Sequence, residues 1–148
     1  MESSIAAKTD LRSMNLPQLE DWIVSIGEPK YRAKQVFQWL WKKNVTDISQ
    51  MSDLSKGLRE KLLNLSETKP LILDKSQKSA DGTIKSRFAL YDGHKIESVL
   101  IPVDREKRYT VCVSTQVGCS LTCSFCATGK MKRIRNLDAA EIVDQYFK

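Results

Sequence analysis

Three cysteines fall inside one short run, Gly118-Cys119-Ser120-Leu121-Thr122-Cys123-Ser124-Phe125-Cys126, at C-x3-C-x2-C spacing. Each of three thiolates from one loop can bind a corner iron of a cubane, whereas full protein ligation of a 4Fe-4S cluster takes four cysteines. The fourth iron is then open to a small chelating ligand. The amino and carboxylate groups of S-adenosylmethionine (SAM) suit that position and would place its sulfonium where one electron cleaves a carbon–sulfur bond. Two other readings compete. A zinc site would need a fourth ligand, and only His94 and Cys112 are at hand, neither at finger spacing. Three structural thiols would need a core to fill, which a loop of Gly, Ser and Thr does not supply.

The elements that must position this loop follow from periodicity. Arg108 to Thr115 reads as a strand, with Tyr109, Val111, Val113 and Thr115 on one side and Cys112 and Ser114 on the other, leading straight into the cysteines. Upstream, Ile84, Phe88 and Leu90 alternate with Lys85, Arg87 and Tyr91. Asp92-Gly93 then offers a positive-φ pair for a tight hairpin before Ile96, Val99, Leu100 and Ile101, and Asp81-Gly82 is a second turn signal. After the loop, Asp138 and Glu141 have capping-box spacing, and Ile142, Val143, Tyr146 and Phe147 predict an apolar helical face. The chain to about Pro70 is helical by period. Leu19, Trp22, Ile23 and Ile26 lie between Pro17 and Gly27; Tyr31, Val36, Phe37, Leu40 and Trp41 follow; Leu54, Leu58, Leu62 and Leu65 follow a start near Ser55.

The 148-residue chain, 41% hydrophobic and 28% charged, is of ordinary size and composition for a folded domain. No run approaches the roughly 18 to 20 apolar residues of a membrane span, and Met1 to Asp10 lack a signal or transit pattern, so a cytoplasmic address without membrane association is expected. A formal net charge of +6 suits a polyanionic partner. Lys130, Lys132, Arg133 and Arg135 form a basic run beside the loop, suited to phosphate contacts at the rim of a site. Arg32, Lys34, Lys42 and Lys43 surround Trp39 and Trp41 in the helical part. Phe37, Leu40 and Trp41 share one stripe and read as core.

The run Val111-Cys112-Val113-Ser114-Thr115-Gln116-Val117-Gly118-Cys119, continued by Phe125-Cys126-Ala127-Thr128-Gly129, resembles the RlmN family of radical SAM enzymes. Those enzymes methylate C2 of an adenine in 23S ribosomal RNA and in certain transfer RNAs. Tyr31-Arg32-Ala33-Lys34-Gln35-Val36-Phe37-Gln38-Trp39-Leu40, Ile96-Glu97-Ser98-Val99-Leu100-Ile101-Pro102 and Arg135-Asn136-Leu137 resemble further segments of it. The resemblance implies a 4Fe-4S cluster on Cys119, Cys123 and Cys126, SAM as co-substrate and methyl source, an electron donor, and 23S rRNA and tRNA as partners of a monomeric enzyme. It also implies that Glu97 is the proton acceptor. Cys112 would be the resolving cysteine, forming a disulfide with a late methyl-carrying cysteine to release product.

The expected architecture is α+β to α/β. It comprises an N-terminal helical RNA-docking domain (1–70), a β-hairpin connector (71–107) and the start of a radical SAM partial (β/α) barrel carrying the cluster loop (108–148). No cysteine follows Cys126, and the barrel's later units are absent, so the chain reads as an N-terminal portion lacking the methyl-carrying cysteine. Two alternatives stand beside this one: the related C8-methylating enzyme, and a non-catalytic RNA-binding module with a structural metal.

Overall fold

The computed structural model describes residues 7–121 and 123–148. Thr122 of the cysteine motif, and Met1–Ala6 of the stretch read for a leader, lie outside the described residues. Two compact units divide the chain between Lys69 and Pro70.

In the first unit, α1 (Leu16–Ser25), α2 (Tyr31–Trp41) and α3 (Lys56–Leu65) form the body. The start of α1 is set by Asn15, whose side chain accepts from the Gln18 amide (2.9 Å) while the Gln18 side chain accepts from the Asn15 amide (3.0 Å). This reciprocal cap satisfies two donors that the first turn leaves without partners, and Pro17 occupies that turn at no cost in hydrogen bonds. Ser55 caps α3 through its hydroxyl (3.3 Å from the Leu58 amide). Leu11, Leu19, Ile23, Val36, Leu40, Met51, Leu58 and Leu62 make the core, with Trp22, Phe37, Trp39 and Trp41 packed at its edge. Leu65, read as part of the same stripe, is exposed. Two short strands, β1 (Thr9–Asp10) and β2 (Ser66–Glu67), pair in parallel and bring the unit's ends together.

The second unit holds a four-stranded antiparallel sheet in simple order: β3 (Ile72–Lys78), β4 (Ile84–Ala89), β5 (Lys95–Val103) and β6 (Arg108–Cys112). Both turn signals lie where the sequence placed them, but with three-residue loops. The Leu90 amide donates to the His94 carbonyl (2.8 Å), the Gly93 amide to the Leu90 carbonyl (3.1 Å), and of the Asp-Gly pair only Gly93 takes positive φ. Asp92 thereby keeps ordinary backbone, and its carboxylate faces residues beyond the turn.

The strand expected over Arg108–Thr115 ends at Cys112. Its partner is β5, antiparallel, with Val99↔Cys112 the last pair, so one ladder runs across residues 72–112. The chain then turns through β7 (Gln116–Val117), makes the cysteine loop, returns as β8 (Arg135–Asn136) and enters α4 (Ala139–Phe147). Phe88, Leu90, Ile96, Val117 and Leu137 form the core of this unit, with Ile142 against it.

The buried face of α4 differs from the one that periodicity predicts. Tyr146 and Phe147 are exposed and meet edge to face at 5.0 Å, whereas Ala140, Glu141, Asp144 and Gln145 are buried. The polar three are buried because each has backbone or an ion to bind. Asp144 accepts from the Leu71 amide (3.1 Å), Gln145 both accepts from the Ser114 amide and donates to the Ser114 carbonyl (2.8 Å each), and Glu141 is held by Arg135.

Candidate functional site

The cysteine loop is closed at its neck by backbone alone. β7 and β8 pair antiparallel, the Cys119 amide donates to the Met131 carbonyl (3.1 Å), and the Ile134 amide donates to the Val117 carbonyl (2.8 Å). Gly118 sits in this neck at φ +72°, and a Cβ there would lie 2.2 Å from the Lys132 carbonyl oxygen. Both facts demand glycine. Gly118→Ala should cost at least the roughly 1–2 kcal/mol of a left-handed residue with a side chain. It should also spread the neck, seen as a lower melting temperature together with reduced iron uptake; an alanine variant that melts and loads like the parent would refute this reading. Within the loop, Gly129 makes a second close approach, with space for a Cβ only 2.9 Å from the Cys123 carbonyl oxygen.

Cys119, Cys123 and Cys126 are half-buried thiols, and Cys112 is an exposed one. The Leu121 amide points at the Cys119 sulfur (3.4 Å), a hydrogen bond of the kind that favours a thiolate and tunes a bound cluster. Phe125 is 91% exposed, so the middle of the loop is not pinned by any core. Among the described residues no set of three or more His, Cys, Asp or Glu stands gathered as metal ligands. The residues fit an iron–sulfur cluster in donor type, in their place on one closed loop and in accessibility. The conformation described does not itself draw the three sulfurs together.

Glu97 and Cys112 are brought to this loop by the register of the sheet. Val99 pairs with Cys112, and Glu97, two residues before Val99, lies on the same face. The Ser114 hydroxyl donates to the Glu97 carbonyl (2.7 Å), and Gln145 grips the Ser114 peptide from the other side. A cavity of about 470 Å³ is lined by Glu97, Val99, Cys112, Ser114 and the loop residues Gly118, Ala127 and Met131. The carboxylate of Glu97 is half exposed and pairs with Lys85 (2.9 Å).

The basic residues divide. Arg135, read with the run that would touch phosphate, instead binds Glu141 through two hydrogen bonds (2.8 Å each) and Asp92 (2.7 Å), and its guanidinium lies over the Tyr91 ring. These carboxylates push its pKa further up, Glu141 most, and Arg135 in turn holds the Asp92 carboxyl below its ordinary value. Arg133 donates to Asn136 (2.8 Å), while Lys130 and Lys132 are exposed. In the helical unit, the Trp39 indole donates to Asp53 and Lys43 lies over its ring at 3.3 Å. Ser114, Gln145 and Arg135 hold the strand end and α4 in place, a role the sequence reading did not assign to them; the one hint was the polar run Glu141, Asp144 and Gln145 interrupting an apolar helix.

Three thiols on one closed loop, whose flanking residues Gly118, Ala127 and Met131 share a cavity with a carboxylate and a fourth thiol, are a donor set suited to an iron–sulfur cluster with an open corner. The comparisons agree. Residues 9–68 match the family model of the ribosomal RNA large subunit methyltransferase N-terminal domain. A Cytophaga hutchinsonii protein named "Probable dual-specificity RNA methyltransferase RlmN" is 49% identical over 138 residues, 93% of this chain and 37% of that protein. The "Dual-specificity RNA methyltransferase RlmN" of Solidesulfovibrio magneticus is 45% identical over 137 residues, 93% of this chain and 38% of its own length. The crystal structure of a radical SAM methyltransferase from Sphaerobacter thermophilus superposes with a TM-score of 0.79 at 42% identity, over 93% of this chain and 40% of that one. The chain is similar to RlmN methyltransferases over 93% of its own length and spans little more than a third of theirs. No helix among the described residues is long and apolar enough to cross a membrane.

Proposed function

We propose that this chain is the cluster-bearing portion of a radical SAM RNA methyltransferase that adds a methyl group to C2 of adenine in 23S rRNA and tRNA through a methyl-cysteine intermediate. One observation carries the reading: Glu97, Cys112 and the loop residues Gly118, Ala127 and Met131, which flank the three cysteines, line one cavity. On this reading Cys119, Cys123 and Cys126 hold a 4Fe-4S cluster, residues 108–148 open into a partial (β/α) barrel, and the helical unit docks RNA. The bound cluster and SAM would supply the one-electron chemistry that starts the reaction.

This chain's own residues do the rest by proton and thiol chemistry. Glu97 takes the proton from C2 of the modified adenine, and it needs only to reach the base edge, which its half-exposed position on the cavity wall allows. Cys112 attacks the sulfur of the protein–RNA thioether as thiolate. A sulfur–sulfur bond forms, the sulfur–carbon bond breaks, and the RNA leaves with the electron pair, which takes up a proton from water to complete the methyl group. The methyl-carrying cysteine is outside this sequence, because no cysteine follows Cys126.

Anaerobic reconstitution with iron and sulfide tests the assignment: the expected product is a cluster whose reduced spectrum changes on adding SAM. Stable zinc without cluster would exclude it. In a full-length chain, Cys112→Ala should trap RNA covalently on the protein, visible as a shifted band that resists denaturant, and Glu97→Gln should slow release of the same adduct. Free product from both variants at parental rates would remove these two roles while leaving the cluster intact.

A further inference from the structure

The face of the sheet that carries Glu97 and Cys112 is also its most basic surface. Residues directly opposite one another in an antiparallel ladder share a face, so the register can be read as rows across the strands. One row runs Lys75, Arg87, Glu97 and the next runs Gln77, Lys85, Val99, Cys112. Lys95 of β5, opposite Ala89, adds a fourth cation to that face. Both rows start at β3, where Lys75 and Gln77 are exposed, and end at the residues assigned to proton transfer and thiol exchange. The full width is three strand spacings, about 14 Å.

The charges on this face do not cancel. Asp74 pairs with Arg87 (2.5 Å) and Lys95 (3.2 Å), and Glu97 pairs with Lys85 (2.9 Å), leaving two carboxylates against Lys75, Lys85, Arg87 and Lys95. Among the described residues Lys75 has no ion pair. The pairs that exist are solvent-accessible, hence weak and readily exchanged for a phosphate. A groove lined by Lys75, Gln77, Lys85, Arg87 and Glu97 meets the Glu97–Cys112 cavity at Arg87 and Glu97, which line both. The opposite face is the one committed to the core, through Phe88 and Ile96.

We propose that these rows are a phosphate track: Lys75, Lys85, Arg87 and Lys95 bind the backbone of the RNA substrate and lead the target nucleotide to Glu97 and Cys112. The proposal rests on the RNA reading above and adds a surface to it. The face carries Ala89, Val99 and Ile101 but no aromatic ring on which bases could stack, so recognition there is of backbone rather than of base. Such binding is independent of sequence and falls with salt.

The test is equilibrium binding of a synthetic adenine-containing RNA stem-loop to the full 148-residue chain across a salt series. The Lys75→Gln/Lys85→Gln double variant should bind several-fold more weakly at low salt. Its log–log salt slope should be shallower by about 1.4 for single-stranded contacts, or about 1.8 for duplex contacts, at 0.7 and 0.9 per phosphate lost. Lys75→Arg/Lys85→Arg should restore both, which separates charge from fold. A double variant with the parental slope would overturn the track while leaving RNA binding in place. If the parent chain itself bound no RNA, the track and the RNA-docking reading would both fall.

Discussion

Alanine at any one of Cys119, Cys123 or Cys126 should abolish formation of a SAM-responsive cluster, the largest single effect expected in this chain. On the proposed reading three thiolates would meet three irons and leave a fourth for the co-substrate; with one removed, two irons would lack protein ligands and the cluster would be open to loss. The neck at Gly118 and the β7–β8 pair would still close the loop, because they are held by backbone bonds that involve none of the three side chains beyond the Cys119 amide. Each variant should therefore keep the parental melting temperature as apoprotein while iron and sulfide contents fall to background after reconstitution. A variant retaining stoichiometric iron and SAM cleavage would show that the missing thiolate was not a ligand.

The second large effect concerns Arg135. Its guanidinium is shared between Glu141, whose side chain is 4% exposed, and Asp92, so Arg135→Met leaves one buried carboxylate without its counter-ion and a second without its main donor. Breaking a buried pair from one side costs roughly 3–5 kcal/mol, a large part of the 5–15 kcal/mol that holds a typical domain folded. Denaturant midpoints measure it, and the Arg135→Met/Glu141→Gln pair should recover part of the loss. A pH arm adds a second reading. Arg135 depresses the Asp92 pKa from its ordinary 3.8, so the resulting stability is fully present above that value and is lost as pH falls through the lower folded-state value. The parent should therefore lose more stability than Asp92→Asn on acidification below about pH 4. Equal acid sensitivity in the two proteins would contradict the assignment.

Much of this was legible in the residues. The helix starts at Pro17 and Ser55, the turns at Asp81-Gly82 and Asp92-Gly93, and the spacing of Cys119, Cys123 and Cys126 are local signals, each carried by a few adjacent residues. The strand end and the buried face of α4 were not. Alternation continues to Thr115, yet the ladder stops at Cys112, because Ser114 meets β5 only through its hydroxyl, at the Glu97 carbonyl, while its backbone is bound by Gln145. A helix that buries Glu141, Asp144 and Gln145 defeats an apolar-stripe reading, since its anchoring partners, Arg135, Leu71 and Ser114, are scattered along the chain. The juxtaposition of Glu97 with Cys112 is likewise a matter of register, which alternation alone leaves unset.

The grip of Gln145 on Ser114 has a mechanical consequence. A carboxamide presents an N–H donor and a carbonyl acceptor side by side, so this side chain acts as a one-residue substitute for an adjacent strand, its second N–H going to the Glu141 carbonyl. The link between Cys112 and the cysteine loop is thus splinted at its midpoint. Holding that link by a side chain where the ladder has ended should limit how far fraying of the exposed loop can shift the Cys112 thiol.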